Sequence, residues 1–240
     1  MPDPDLALSV RHVRYGYGDL TVVWDVSFDA YVGETVAIVG RNGAGKSTLM
    51  FGLAGIVPGG GGTVELLGLN VTRASPWTRA RRGICLVPEG KRIFRALTVE
   101  ENLAVAFPNG TRARDRRRQI AQILDRFPML AEKRSHVSGT LSGGQQQLLA
   151  IASALTANPR VLLVDEPSSG LAPRAVDQVL DTLAELKREG IAVVLVEQLV
   201  EEVVTGVADR VVVIEQGRVV TDDIPENISL ADLERRIYAA

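Results

Sequence analysis

Residues Gly40-Arg41-Asn42-Gly43-Ala44-Gly45-Lys46-Ser47 match the pattern G-x-x-x-x-G-K-[ST], with a β-type run before them and a helical stretch from Lys46 to about Ala54 after them. Glycines let a backbone wrap closely around a phosphate chain with its N–H groups turned inward, and the following helix start adds a positive dipole end. On that chemistry Gly40, Asn42, Gly43, Ala44, Gly45 and Thr48 belong to a nucleotide cradle, Lys46 neutralises the β- and γ-phosphates, and the Ser47 hydroxyl ligates Mg²⁺. A dinucleotide fingerprint would need a third glycine at position 48, which is Thr48. The remaining alternative is a glycine-rich turn that binds nothing.

Val161-Leu162-Leu163-Val164-Asp165-Glu166 ends a buried strand in two carboxylates, which are costly there unless a cation or a reacting water lies beside them. Asp165 is placed to hold Mg²⁺, mostly through water, and Glu166 to act as general base on the attacking water. Taken alone, the pair reads equally well as a strand end in solvent. Leu141-Ser142-Gly143-Gly144-Gln145 precedes a helix with apolar positions 148, 151, 152 and 155. A hydroxyl and two bare glycines at a helix start make a second anion site, or a flexible N-cap at Ser142.

These residues need a frame. Apolar runs at Leu8–Val10, Trp24–Phe28, Thr35–Val39, Ile84–Val87, Val161–Val164, Ile191–Val196 and Val211–Ile214 alternate with helical patterns. Several are rich in Val and Ile, as strands buried on both faces should be. A largely parallel α/β sheet follows. Positions 176, 179, 180, 183 and 186 repeat at helical spacing, and Gly190 ends that helix. Glu215-Gln216-Gly217 reads as a hairpin turn before Arg218–Val220, and Gly59–Gly62 as a local flexible turn. Residues 89–157 lack a comparable strand run but have helical stretches near Arg112–Arg126 and Gln145–Ala157. The expected organisation is one domain: an α/β core of residues 1–88 and 158–240 with a helical lobe, 89–157, inserted.

The 240 residues are 46% hydrophobic and 23% charged, which excludes disordered and fibrous classes. A formal charge of −2 gives no global attraction to nucleic acid or an anionic membrane, so any polyanion must be bound locally. Cys85 is the single cysteine, which excludes an internal disulfide and fits a reducing compartment. Met1–Asp5 does not resemble a secretory signal, and Ile191–Val196 is far shorter than the roughly 20 residues that span a bilayer. Membrane contact is therefore expected only through a partner.

With the phosphate loop, LSGGQ and VLLVDE in this order, the chain resembles the nucleotide-binding subunit of ATP-binding cassette (ABC) transporters over essentially its whole length. The resemblance implies a P-loop NTPase fold: a RecA-like parallel core, an antiparallel β subdomain and an inserted helical subdomain. It implies two cassettes packed head to tail, with Ser142, Gly143, Gly144 and Gln145 of one completing the ATP site of the other. Tyr17 is assigned to stacking on adenine, with Tyr15 as the rival, and Ser169-Gly170-Leu171-Ala172 to signalling between the two sites. Many relatives carry an acid where Ala172 stands. Glu89 stands where most carry a Gln that contacts Mg²⁺ and the membrane subunits, and Gln198 where many carry a His that senses the γ-phosphate.

Val87-Pro88-Glu89-Gly90-Lys91-Arg92-Ile93-Phe94, Thr98–Leu103, Glu166–Pro173 and Val196-Glu197-Gln198 are similar to the shorter ATPase subunit of branched-chain amino-acid importers and its relatives for urea and amides. That implies an ATP- and Mg²⁺-dependent energy-coupling subunit, peripheral on the cytoplasmic face of the cell membrane. Its implied partners are a second ATPase (a paralogue or itself), two transmembrane permease subunits and, indirectly, an external solute-binding protein. The alternative is a soluble cassette ATPase acting on nucleic acid or ribosomes. It is disfavoured because there is one cassette, no room for a long coiled coil, and no cysteine set for a zinc module. The arginines at 112, 114, 116, 117 and 118 read as a solvated helix face rather than an anion or lipid site. His12 and His136 read as ordinary polar residues, and Cys85, Trp24 and Trp77 as packing.

Overall fold

The computed structural model describes residues 3–90, 92–198 and 200–238; Lys91 of the motif quoted above lies outside them. The elements run β1 (Leu6–Tyr17), β2 (Leu20–Tyr31), β3 (Thr35–Val39), α1 (Lys46–Leu53), β4 (Gly59–Leu66), β5 (Leu69–Asn70), α2 (Pro76–Arg82) and β6 (Ile84–Val87). Then come α3 (Val99–Ala106), α4 (Ala113–Arg126), α5 (Pro128–Ala131) and α6 (Gly143–Leu155). The chain closes with β7 (Val161–Asp165), α7 (Pro173–Arg188), β8 (Ala192–Val196), α8 (Val200–Gly206), β9 (Arg210–Glu215), β10 (Arg218–Asp223) and α9 (Leu230–Tyr238).

The strands form one sheet in the order β5-β4-β1-β2-β10-β9-β3-β8-β7-β6. Its centre is parallel, with β3 between β8 and β9 and β7 between β8 and β6. β1, β2, β4 and β5 pair antiparallel at one end. The Val- and Ile-rich runs are buried on both faces, as their composition requires. Val36 and Ile38 of β3 enter the core shared with α1, while Ala37 and Val39 enter the core shared with the inserted helices. Those helices bury Leu103, Leu124, Leu149 and Ile151 in that same second core.

Two expectations are corrected. Gly59–Gly62 is the start of β4, where Gly59 and Gly61 pair with Tyr15 and Arg14 of β1, so a tertiary ladder overrides low strand propensity. Trp24 and Trp77 are 45% and 47% exposed and do not serve the core. The lobe also holds α3, which the sequence reading did not single out; Thr98 and Glu101 form its capping box, a T-x-x-E signal present in the sequence.

α1 is held from its far end by a side chain of another helix. Arg79 of α2 is 3% exposed and donates to the carbonyls of Gly52 at 2.9 Å, Leu53 at 2.7 Å and Thr72 at 2.7 Å. A cation on the last carbonyls complements the negative helix end and satisfies groups α1 cannot pair itself. Arg79→Met should cost roughly 2–4 kcal/mol of folding stability in urea denaturation, because buried carbonyls lose their donors. A loss below about 0.5 kcal/mol would contradict this role.

Candidate functional site

β3, β8 and β7 are adjacent and parallel, so their carboxyl ends deliver Gly40–Lys46, Glu197–Gln198 and Asp165–Glu166 to one edge, where α/β sheets place ligands. Gly45 caps α1 at φ +101°, a left-handed conformation that strains any residue with a Cβ. Beneath it lies Val22 of β2, and the β9–β10 turn supports the loop through a hydrogen bond from the Gly217 N–H to the Ala44 carbonyl at 3.0 Å. Lys46 is 4% exposed, and its Nζ donates to the Gly40 carbonyl at 2.7 Å and the Arg41 carbonyl at 3.2 Å. Burial lowers its pKa, opposed by the nearby Glu166 and Asp165 carboxylates. The loop thus holds a poorly solvated ammonium on its own carbonyls.

Asp165 is 1% exposed and its Oδ1 has no hydrogen-bond partner. Burial pushes its pKa up to about 6; the Ser47 hydroxyl opposes the rise, Glu166 and Glu89 add to it, and Lys46 opposes it. Glu166 has φ +45°, its N–H donates to the Val196 carbonyl at 2.9 Å, and its Oε2 accepts from Gln198 Nε2 at 2.7 Å. A non-glycine residue in that region costs roughly 1 kcal/mol, which neighbouring structure must offset. Glu197 supplies part of that support and was missed in the sequence reading. It is 2% exposed and accepts from the Ser168 N–H at 2.9 Å, the Ser168 hydroxyl at 2.7 Å and the Gln198 N–H at 3.1 Å. The one signal was an acid directly after a fully apolar strand.

A Mg²⁺ ion fits these residues. A buried carboxylate oxygen without a donor stands near a hydroxyl, both hard oxygen ligands, and Mg²⁺ takes few protein groups while keeping waters and phosphate oxygens. Among the described residues no group of three or more His, Cys, Asp or Glu side chains could hold a metal ion by itself. Glu89 is exposed and lines a cavity of about 290 Å³ with Arg95, Gln147 and Glu166.

Tyr17 is 53% exposed at the tip of the β1–β2 hairpin, opposite Leu20. Tyr15 is 3% exposed and packs on Gly52 of α1, where an added Cβ would lie 2.4 Å from the ring. Of the two rivals, Tyr17 alone is open to a ligand.

Ser142–Gln145 form a capping box: the Gln145 N–H donates to the Ser142 hydroxyl at 3.3 Å, and the Ser142 N–H to Gln145 Oε1 at 3.1 Å. A Cβ on Gly144 would lie 2.7 Å from that of Ala175, so the glycine lets α6 pack on the first turn of α7. Cavities of about 570 and 300 Å³ run along the phosphate loop, and residues 141–145 line neither. Lys46, Ser47, Asp165, Glu166 and Gln198 are therefore gathered at one sheet edge, while the Ser142–Gln145 helix start stands apart with an exposed Ser142.

A buried polar chain fixes the turn before that helix start. Asn102, 3% exposed, donates to the Phe94 carbonyl at 3.0 Å and the Ser138 hydroxyl at 2.9 Å, and accepts from the Phe94 N–H at 2.8 Å. Gln146 Nε2 donates to the carbonyls of Ser138 at 3.3 Å and Leu141 at 3.1 Å. The segment after β6 and the turn before α6 thus share one set of hydrogen bonds.

A family model described as ABC transporter matches residues 23–169. The chain is 42% identical to a high-affinity branched-chain amino acid transport ATP-binding protein, BraG, of Pseudomonas aeruginosa, over 90% of this chain and 92% of that one. It is 36% identical to a probable branched-chain amino acid transport ATP-binding protein, LivF, of Archaeoglobus fulgidus, over 85% and 86%. The lipopolysaccharide export ATP-binding protein LptB of Escherichia coli is 30% identical over 96% of both. Among solved structures, the ABC transporter component cbiO1 of Clostridium perfringens superposes with a TM-score of 0.81 at 27% identity, covering 93% and 90%.

Because the pKa of Asp165 is higher folded than unfolded, its ionisation opposes folding. The cost is absent below about pH 4 and fully present above about pH 6. Asp165→Asn should therefore stabilise the ligand-free protein by roughly 2 kcal/mol at pH 7.5 and by clearly less at pH 4.5, read from urea curves. Equal effects at both pH values, or destabilisation at pH 7.5, would contradict an Asp165 charge made costly by burial.

Proposed function

The chain belongs to the ABC transporter family, and from that premise we propose that it is the ATP-hydrolysing, energy-coupling subunit of an importer for branched-chain or related amino acids. The observation that carries the reading is the pairing of a complete phosphate loop and carboxylate pair with a second, exposed anion-binding helix start at Ser142. One chain holds one half of each of two sites. A second ATPase, a paralogue or a copy of this chain, would present its own Ser142-equivalent to the phosphates held at Lys46. Two permease subunits and an external solute-binding protein complete the proposed assembly. No described helix is long and apolar enough to cross a membrane, so attachment to the membrane would run through those subunits.

In the proposed reaction the triphosphate takes the place of the Gly40 and Arg41 carbonyls at Lys46 Nζ, and the loop N–H groups hold the β- and γ-phosphates. Tyr17 stacks on the base. Ser47 and Asp165 would hold Mg²⁺, with Glu89 as a further candidate ligand, and the ion would supply charge neutralisation at the phosphates. Glu166 accepts a proton from the water that attacks the γ-phosphorus, the bond to the ADP oxygen breaks, and phosphate leaves. Gln198, already on the Glu166 carboxylate at 2.7 Å, orients that base. Its amide does not titrate, so the contact has no pH switch of the kind an imidazole would bring.

A second reading, an export ATPase, is favoured only by relatives near 30% identity. The higher identity to BraG supports import. In the complex purified from its own membranes, Glu166→Gln should leave ATP binding intact and lower turnover by roughly 10² to 10⁴, the range for loss of a general base. Permease subunits and a second ATPase should co-purify. Near-normal hydrolysis would overturn the role of Glu166, and recovery with ribosomes or nucleic acid instead of membrane proteins would overturn the transport reading.

A further inference from the structure

Five arginines and one aspartate occupy the seven residues 112–118, a net +4 on a chain of formal charge −2. They sit where a helix tolerates them least. Arg112 is the N-cap of α4 and makes no capping hydrogen bond, and Asp115 is the only acid in the first turn. The positive end of the helix dipole therefore faces positive side chains. Arg114, Arg117 and Arg118 stand at i, i+3 and i+4 on one exposed face, where like charges repel. No ion pair or side-chain hydrogen bond of the described residues reaches Arg112, Arg114, Arg117 or Arg118. Arg116 differs: its guanidinium lies 5.9 Å from the Phe107 ring centroid and belongs to the packing of the lobe.

The chain thus maintains, on one exposed face, a set of guanidinium groups that are unfavourable to the helix and unused within the fold. α3 packs against α4, and Val105, 53% exposed, lies near the end of α3 just before the loop that carries Pro108, Asn109 and Gly110 into the arginines. Exposed, unpaired guanidinium groups on one helix face match the chemistry of an anionic lipid surface, which offers phosphates in a plane.

We propose that the N-terminal half of α4 is a membrane-contacting surface that binds anionic phospholipid headgroups through Arg112, Arg114, Arg117 and Arg118. The choice of lipid over nucleic acid rests on the transporter reading above and on the small size of the patch. Each arginine near such a surface strengthens binding roughly fivefold, so four give a weak, reversible attachment that supplements docking on the membrane subunits.

The test is co-flotation of the full chain with vesicles of phosphatidylcholine containing 30% phosphatidylglycerol, against pure phosphatidylcholine, at low and high salt. Binding should need the anionic lipid and weaken with salt. R114Q/R117Q/R118Q should bind about a hundredfold more weakly, while R73Q/R81Q/R82Q, which removes three exposed arginines around α2, should bind like the parent. Glutamine is a good helix former, and circular dichroism should show both variants folded. Equal loss in the two variants, equal binding to neutral vesicles, or binding by the parent to single-stranded nucleic acid but not to vesicles would overturn the proposal. Because permease co-purification is scored separately, failure here leaves the transport reading standing, and failure of that reading does not alter the vesicle result.

Discussion

On the proposed reading, the polar cluster at the carboxyl edge of the sheet is incomplete in one chain. Lys46 bonds only carbonyls of its own loop, Asp165 keeps a buried oxygen without a donor, and Ser142 spends its hydroxyl on its own helix. Each group is held in place by buried polar contacts: Arg79 at the far end of α1, Glu197 beneath the loop after Glu166, and Asn102 with Gln146 behind the turn before α6. Preorganisation of this kind places the cost of orienting charge in folding, so that binding and reaction need little further movement at those residues.

The sheet determines which residues meet. Because β3, β8 and β7 are parallel neighbours, three separate chain segments reach the same edge without long loops, and alternate residues of each strand fill the two cores. The inserted helices have no separate core. They share one with a sheet face, so a shift of Ser142 relative to Lys46 must repack contacts among Leu103, Leu149 and the strand residues Val39 and Val164. The hydrogen-bonded chain from Phe94 through Asn102 and Ser138 to Leu141 makes the loop after β6 and the turn before α6 move as one piece.

Much of this was legible from residue order because the phosphate loop and the strand-end carboxylates are local signals: spacing, glycine content and flanking apolar runs all lie within a few residues. The parallel core followed from Val- and Ile-rich runs buried on both faces. What was not legible depends on distant partners. Gly59–Gly62 looks like a turn until β1 pairs with it, Trp24 and Trp77 look like packing residues until their positions are seen, and Glu197 shows no role until Ser168 folds over it. α3 was legible through its Thr98–Glu101 box but carries too short an apolar pattern to stand out.

If each catalytic chamber is assembled from two chains, turnover per chain must depend on how often chains meet. Specific ATP turnover of the purified protein, followed over a dilution series alongside sedimentation, should fall toward zero as only single chains remain, and should be near zero throughout if the obligatory partner is a paralogue. Turnover per chain that stays high and constant where sedimentation finds single chains alone would contradict the shared chamber.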